Sequence, residues 1–176
     1  MPELSVTAIG RDRPGIVAAV TGALLELGGN VEDSQMSILG GHFAVMLLVQ
    51  VPEGTGREPV VERLTGVAEE LGLEAVSVAE VGEGAIAAQP THVISVYGAD
   101  HPGIVHGVSQ ALATHGVNIT DLETKLAGAA ESPVYVMVVE ASMGSADPGA
   151  VEDALRQIGG ESALEVSIRE LDVETL

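Results

Sequence analysis

Hydrophobic positions along this chain fall into two spacings, and they do so twice in the same order. Leu4 to Ile9 reads as a short strand. Ile16, Val17, Val20, Leu24 and Leu27 then recur at helical spacing, as one face of a helix. Val31 to Leu39 is a second strand, Gly40-Gly41 a turn, and Phe43 to Val51 a third strand. Val60, Leu64, Val67, Ala68 and Leu71 form a second helical stripe, and Glu74 to Val81 closes the series as a strand.

The whole series returns 88 residues later, the spacing from Pro14 to Pro102. Gly10-Arg11-Asp12-Arg13-Pro14-Gly15-Ile16-Val17 recurs as Gly98-Ala99-Asp100-His101-Pro102-Gly103-Ile104-Val105. At the same spacing Val20, Leu24, Asn30 and Asp33 meet Val108, Leu112, Asn118 and Asp121. The second copy supplies a strand from His92 to Tyr97 and a helical face of Ile104, Val105, Val108 and Leu112. A longer hairpin loop from Gly128 to Pro133 precedes a strand from Val134 to Ala141. Val151, Ala154, Leu155 and Ile158 make the last helical stripe, and Leu164 to Leu171 the last strand.

Pro14 and Pro102 are expected in the first turn of their helices, where a missing N–H costs nothing. Gly28-Gly29 and Gly116 are expected to end those helices. Strand-helix-strand-strand-helix-strand, twice, predicts an α+β fold: two ferredoxin-like βαββαβ domains, each an antiparallel sheet with its helices on one face. The expected boundaries are 1–82 for the first domain, 83–90 for a linker and 91–176 for the second. Gly82 to Pro90 is rich in Gly and Ala, which suits a tether, and the second domain ends in a short acidic tail.

One strand breaks the expected alternation. Phe43 to Val49 is apolar on both faces, whereas a sheet with helices on one side should alternate. The outer face of that strand is therefore expected to be covered, by a neighbouring domain, by a homodimer partner, or by both.

Composition narrows the function classes. Seven Lys and Arg against 26 Asp and Glu give a net charge of -19, which repels a phosphate backbone. There is no Trp, and aromatics make up only 2%, so bases would find little to stack on. Direct nucleic-acid binding is not expected. The absence of Cys removes disulfides, thiolate chemistry and Cys-based zinc sites. No apolar run approaches the ~20 residues of a membrane helix, and Met1-Pro2-Glu3 opens no secretory signal, so a cytoplasmic location is expected.

The chemistry-bearing feature is the repeated Gly-x-Asp-x-Pro-Gly loop ahead of each first helix. A helix N-terminus presents backbone N–H groups, here including those of Gly15, Ile16, Gly103 and Ile104, and these suit a carboxylate. Asp12 and Asp100 offer acceptors for an ammonium group, and Asn30 and Asn118 offer both a donor and an acceptor. Together these groups match the two charged ends of an α-amino acid. A purely structural reading stands beside this one, in which Asp12 serves the helix dipole and Asn30 follows from the Gly-Gly turn before it. The five His are scattered, and His101 and His106 are off the i, i+4 spacing of a helical metal pair. No Ser sits in a nucleophile elbow. No catalytic residue, metal or cofactor is expected.

The pattern Gly-x-Asp-Arg-Pro-Gly-Ile-Val, then Gly-Asn-Val-Glu-Asp-Ser-Gln-Met, then Leu-Gly-Gly-x-Phe-Ala, resembles the ACT domain. More narrowly it resembles the tandem-ACT repressor family of the glycine cleavage system. The resemblance is strongest over residues 4–51 and looser over 91–141. It implies sheets placed side by side, with amino acids bound where the loop and the Asn meet a neighbouring domain. The binding positions it implies are Gly10, Asp12, Pro14, Gly15 and Asn30, with Gly98, Asp100, Pro102, Gly103 and Asn118 in the second copy. It further implies a regulatory protein partner rather than direct DNA contact. Enzymes that carry ACT domains have separate catalytic domains, and all 176 residues here are used by the repeats, linker and tail. The expected function is a non-enzymatic sensor of a small amino acid, glycine or serine favoured, acting through protein contact. The alternative is a structural or interaction subunit whose ligand site is vestigial.

Overall fold

The chain divides into two compact units, Met1–Ala85 and Ile86–Leu176. The computed structural model describes residues 2–82, 88–129, 132–162 and 164–171. Most of the expected linker, residues 83–87, and the acidic end, residues 172–176, lie outside the described residues.

In the first unit the order is β1 (Glu3–Arg11), α1 (Ile16–Glu26), β2 (Asn30–Leu39), β3 (His42–Gln50), α2 (Arg57–Leu71) and β4 (Ala75–Glu80). The second repeats it as β5 (His92–Gly98), α3 (Ile104–Thr114), β6 (Asn118–Ala129), β7 (Ser132–Ser142), α4 (Pro148–Ser162) and β8 (Leu164–Glu170). Each sheet has four antiparallel strands, ordered β2-β3-β1-β4 and β6-β7-β5-β8. This is the predicted α+β fold, two βαββαβ units of ferredoxin-like topology with helices on one face of each sheet.

Period-two burial explains why the strands form where they do. Leu4, Val6 and Ala8 of β1 are essentially sealed beneath the helices, while Ser5, Thr7 and Ile9 take the opposite face. Along β3, Phe43, Val45, Leu47 and Val49 join the core, and the apolar residues between them, Ala44, Met46 and Leu48, take the open face. Val60, Leu64 and Val67 close the core from α2. Ile94, Val96, Met137 and Val139 play the same part in the second unit, under Val108, Leu112, Val151 and Leu155. Fully burying a side chain of this kind contributes ~1.5–3 kcal/mol, so the stability of each unit rests on these layers.

Three local expectations are corrected. The expected helical faces include Val17 and Val105, but these are 43% and 38% exposed; Ile16, Val20 and Leu24 of the expected α1 face do line the core, joined by Ala23. The hairpin loop expected from Gly128 to Pro133 is tighter than that. Pairing continues through Gly128↔Pro133 and Ala129↔Ser132, so the strand register takes in residues whose composition suggested a loop. Residues 130 and 131 lie outside the described ones. The prolines form the third correction and bear on the loops described below. In the first unit the corresponding turn is Gly40-Gly41, with φ 59 and 79, the two positive angles that a two-residue hairpin of the I′ type requires.

Candidate functional site

The loop after β1 is tied down at its start. The Asp12 N–H donates to the Gly41 carbonyl at 3.0 Å, which docks the loop on the β2–β3 turn. Gly10, just before it, is buried, and a Cβ there would stand 3.0 Å from Leu73 Cδ2 and 3.2 Å from Leu73 Cα. Its place in the motif is therefore set by packing as well as by any ligand.

Gly15 has φ 98 and ψ -11, and Gly103 has φ 98 and ψ -5, so the same left-handed turn is built twice. Side chains with a Cβ avoid this region, which is why Gly stands at both positions. It also moves the prolines. Helix α1 starts at Ile16 and α3 at Ile104, so Pro14 and Pro102 lie two residues ahead of the helix rather than in its first turn. The helical run cannot begin until the positive-φ residue has been passed.

Neither helix has a side-chain cap. Ala19 donates to the Gly15 carbonyl at 2.9 Å and Gly107 to the Gly103 carbonyl at 2.8 Å. The N–H groups of Ile16, Val17 and Ala18, and of Ile104, Val105 and His106, therefore have no carbonyl within their own helix to receive them. The Ile16 and Ile104 side chains are core, so only their backbone faces the loop. Asp12, Pro14 and Gly15 are exposed, as are Asp100, Pro102 and Gly103; Gly98 is half-buried. Among the described residues no hydrogen bond occupies the Asp12 or Asp100 carboxylate. Neither aspartate lies in the first helical turn, where a carboxylate placed for the helix dipole would stand.

The asparagines are not where a single-unit cradle requires them. Asn30 pairs with Gln50, which pairs with Glu3 at the start of β1; the loop leaves the other end of the same sheet, where Gly10 pairs with Phe43. At ~3.3 Å per residue those rows stand roughly 20 Å apart. Asn118, opposite Ser142, is likewise remote from Gly98, opposite Tyr135. The cause is topological: α1 runs back antiparallel to β1, so the chain enters β2 at the far end. One free amino acid cannot touch Asp12 and Asn30 of the same unit.

The two loops differ in charge. Arg11 and Arg13 flank Asp12, two of only seven Lys and Arg in the chain, where the second copy has Ala99 and His101. His101 Nδ1 lies 3.0 Å from the Pro102 carbonyl, which can only accept, so Nδ1 donates there. Nε2 is shielded from solvent and has no partner among the described residues. From the sequence His101 reads as a solvated or capping His rather than a metal ligand; a shielded, unpartnered imidazole nitrogen beside the loop has no sequence signature. Among the described residues no three His, Asp or Glu gather as a metal site. The shortest ion pair of the first unit lies elsewhere: Arg63 Nε donates to Glu26 Oε2 at 2.7 Å, and this bond holds the Glu26 carboxyl below the usual carboxylate range.

Hollows occur on the open sheet faces. One of about 240 Å³ is lined by Asp33, Ser34, Gln35, Met46 and Leu48. Another of about 410 Å³ includes Val93, Tyr97, Ser167 and Arg169. Neither reaches the loops. Asp33 follows a β-bulge between Val31 and Asp33, repeated between Ile119 and Asp121 in the second unit. Among the described residues, no helix is long and apolar enough to cross a membrane.

Residues 3–77 and 92–160 each match the ACT domain family. A UPF0237 protein of Methanopyrus kandleri is 38% identical over 77 residues, which span 43% of this chain and 86% of that protein. The glycine cleavage system transcriptional repressor of Escherichia coli is 25% identical over 172 residues, 94% of this chain and 88% of the repressor. The crystal structure of a protein of unknown function from Galdieria sulphuraria superposes with a TM-score of 0.80 at 28% identity, covering 97% of this chain and 98% of that one. Loop, helix and sheet agree with these likenesses in both halves, and the chain belongs to the ACT domain family, whose fold it carries twice.

Proposed function

We propose that this chain is a non-catalytic, cytoplasmic regulatory protein that binds a small amino acid and passes its level to a protein partner by direct contact. The observation that carries this reading is the duplicated loop. Two units whose sequences repeat at a spacing of 88 residues build the same uncapped helix N-terminus behind the same left-handed Gly, each preceded by an exposed aspartate without a partner among the described residues. Backbone N–H groups of the first helical turn take the ligand carboxylate, and Asp12 or Asp100 takes its ammonium group. Gly10, Pro14 and Gly98, Pro102 shape the loops. Asn30 and Asn118 complete a ligand's coordination only from an ACT domain other than the one whose loop holds it, as the family resemblance implies. The loops offer no aromatic wall, which favours glycine or serine. Similarity to a transcriptional repressor, together with a charge of -19, fits regulation through a protein rather than through DNA.

A thermal-shift panel of the twenty amino acids, followed by calorimetry, tests the proposal. A ligand bound only by the native state raises stability by about 2.7 kcal/mol at a hundredfold excess over its dissociation constant. Glycine or serine is expected to raise the melting temperature, and Asp12→Ala with Asp100→Ala to remove the response. A panel in which no amino acid shifts the transition overturns the sensor reading and leaves an interaction subunit with a vestigial site.

A further inference from the structure

We propose that the open sheet face of the first unit is where two copies of this chain meet, face to face. The middle of that face is Thr7, Ile9, Ala44, Met46, Leu48 and Ser77, set side by side by the β1–β3 and β1–β4 registers. Met46 is 53% exposed and Ile9 38% exposed, with no helix of their own unit above them. Charged groups appear only at the rim, as Glu3, Arg11 and Asp33. An uncharged, largely apolar centre inside a charged rim is the usual anatomy of a protein interface.

Solvation alone would not keep this face neutral in a chain of net charge -19, and the second unit shows the alternative. Leu48, opposite Ser5, corresponds to Glu140, opposite Val93. Ala75, opposite Ile9, corresponds to Glu165, opposite Tyr97, and Ala79, opposite Ser5, to Arg169, opposite Val93. At these three positions the open face is charged in the second unit and uncharged in the first.

A second copy of the chain is the occupant that fits. Two strongly acidic molecules repel wherever their charged surfaces approach, and this neutral face lets them close without that cost. A two-fold axis through the face sets the same patch against itself, as an isologous interface requires. Four strands ~4.8 Å apart and about seven residues long give a footprint on the order of 400 Å², so two copies bury on the order of 1,000 Å². That is the low end for a specific pair, so the dimer is concentration-dependent. The sheets would stack ~10 Å apart. The proposal is independent of the ligand reading.

Light scattering coupled to size exclusion, on the full chain across the micromolar range, reads the outcome. The mass is expected to rise from the 17.9 kDa monomer to twice that value. Met46→Lys, in the middle of the face, is expected to weaken the dimer by about tenfold or more. Val138→Lys at the matching position of the second unit, opposite Ser95, is expected to leave it intact. Because the chain has no Cys, Met46→Cys adds one thiol per chain, and a short bismaleimide should link two chains through it. This conservative variant decides the matter if Met46→Lys does not fold. A wild-type chain that stays monomeric, a dimer indifferent to Met46→Lys, or Met46→Cys chains that fail to cross-link would each overturn the proposal.

Discussion

Replacing Gly15 with alanine probes the turn that shapes the first loop. Gly15 sits at φ 98 and ψ -11, and an added Cβ would meet no atom within 4 Å. The cost is therefore backbone strain with no steric part. For an L-residue held in such a region, that strain destabilises by about 1–2 kcal/mol, part of it offset by the smaller entropy of the unfolded alanine chain. In a unit of this size, each 1 kcal/mol lowers the melting temperature by roughly 4–8 °C. The two halves can be read separately. Both tyrosines, Tyr97 and Tyr135, belong to the second unit, and there is no Trp, so tyrosine emission reports that unit while far-ultraviolet dichroism reports both. Gly15→Ala should lower the part of the dichroism transition that tyrosine does not follow. Gly103→Ala, at the same φ of 98 and with the same open surroundings, should lower the tyrosine transition by a similar amount. A Gly15→Ala chain as stable as the wild type would refute the strain argument and, with it, the reason given for Gly at that position.

Gly66 lies inside α2 with nothing within 4 Å of an added Cβ, so Gly66→Ala should stabilise the first unit by about 0.5–1 kcal/mol, read by denaturant titration followed by dichroism. Asn30 is exposed and its side chain makes no hydrogen bond among the described residues, so Asn30→Ala should change stability by less than about 0.5 kcal/mol. If it holds a ligand, calorimetry should show glycine or serine affinity falling roughly ten- to a hundredfold; lost stability with intact binding would make it a turn residue. The Arg63 hydrogen bond lowers the Glu26 pKa, so the contribution of this pair is present above the ordinary carboxylate range and is lost as pH falls through the depressed value. Arg63→Gln should move the Glu26 carboxyl titration upward in an NMR pH series, and an unmoved titration would contradict the assigned cause.

Element order and strand identity were legible because hydrophobic period and burial coincide along β1, α2 and their copies. The errors arose where periodicity carries no information. Val17 stands only ~20° beyond Leu24 on a helical wheel of ~100° per residue. The spacing identifies the buried face, but the neighbouring elements decide how wide it is, and α1 leaves that flank open to solvent. Pro14 was misplaced because its ring suits a first helical turn, and nothing in the dipeptide says that the Gly after it must take a left-handed conformation first. Gly128 and Pro133 read as loop by composition, yet cross-strand pairing between β6 and β7 claims them.

The site was legible as residue types and less so as geometry. Asp12, Gly15 and their copies were recognised through repetition, and the structure builds them into equivalent turns. The distance from Asp12 to Asn30 was also contained in the order strand-helix-strand. A helix that packs back along its strand must deliver the next strand to the opposite end, so a loop residue and the first residue of β2 in one unit cannot share a small ligand. Placing Asn30 in one cradle with Asp12 treated neighbours in the sequence logic as neighbours in space. The same comparison of copies separates two demands on the chain. The left-handed Gly, the exposed Asp and the uncapped helix recur in both loops, whereas the open sheet faces have parted, with Leu48, Ala75 and Ala79 in one and Glu140, Glu165 and Arg169 in the other. A duplicated fold under a single demand would drift alike in both regions. Agreement of the loop backbones with divergence on the faces is the pattern that the proposed ligand site, shared by both units, and the proposed pairing face, confined to the first, would together produce.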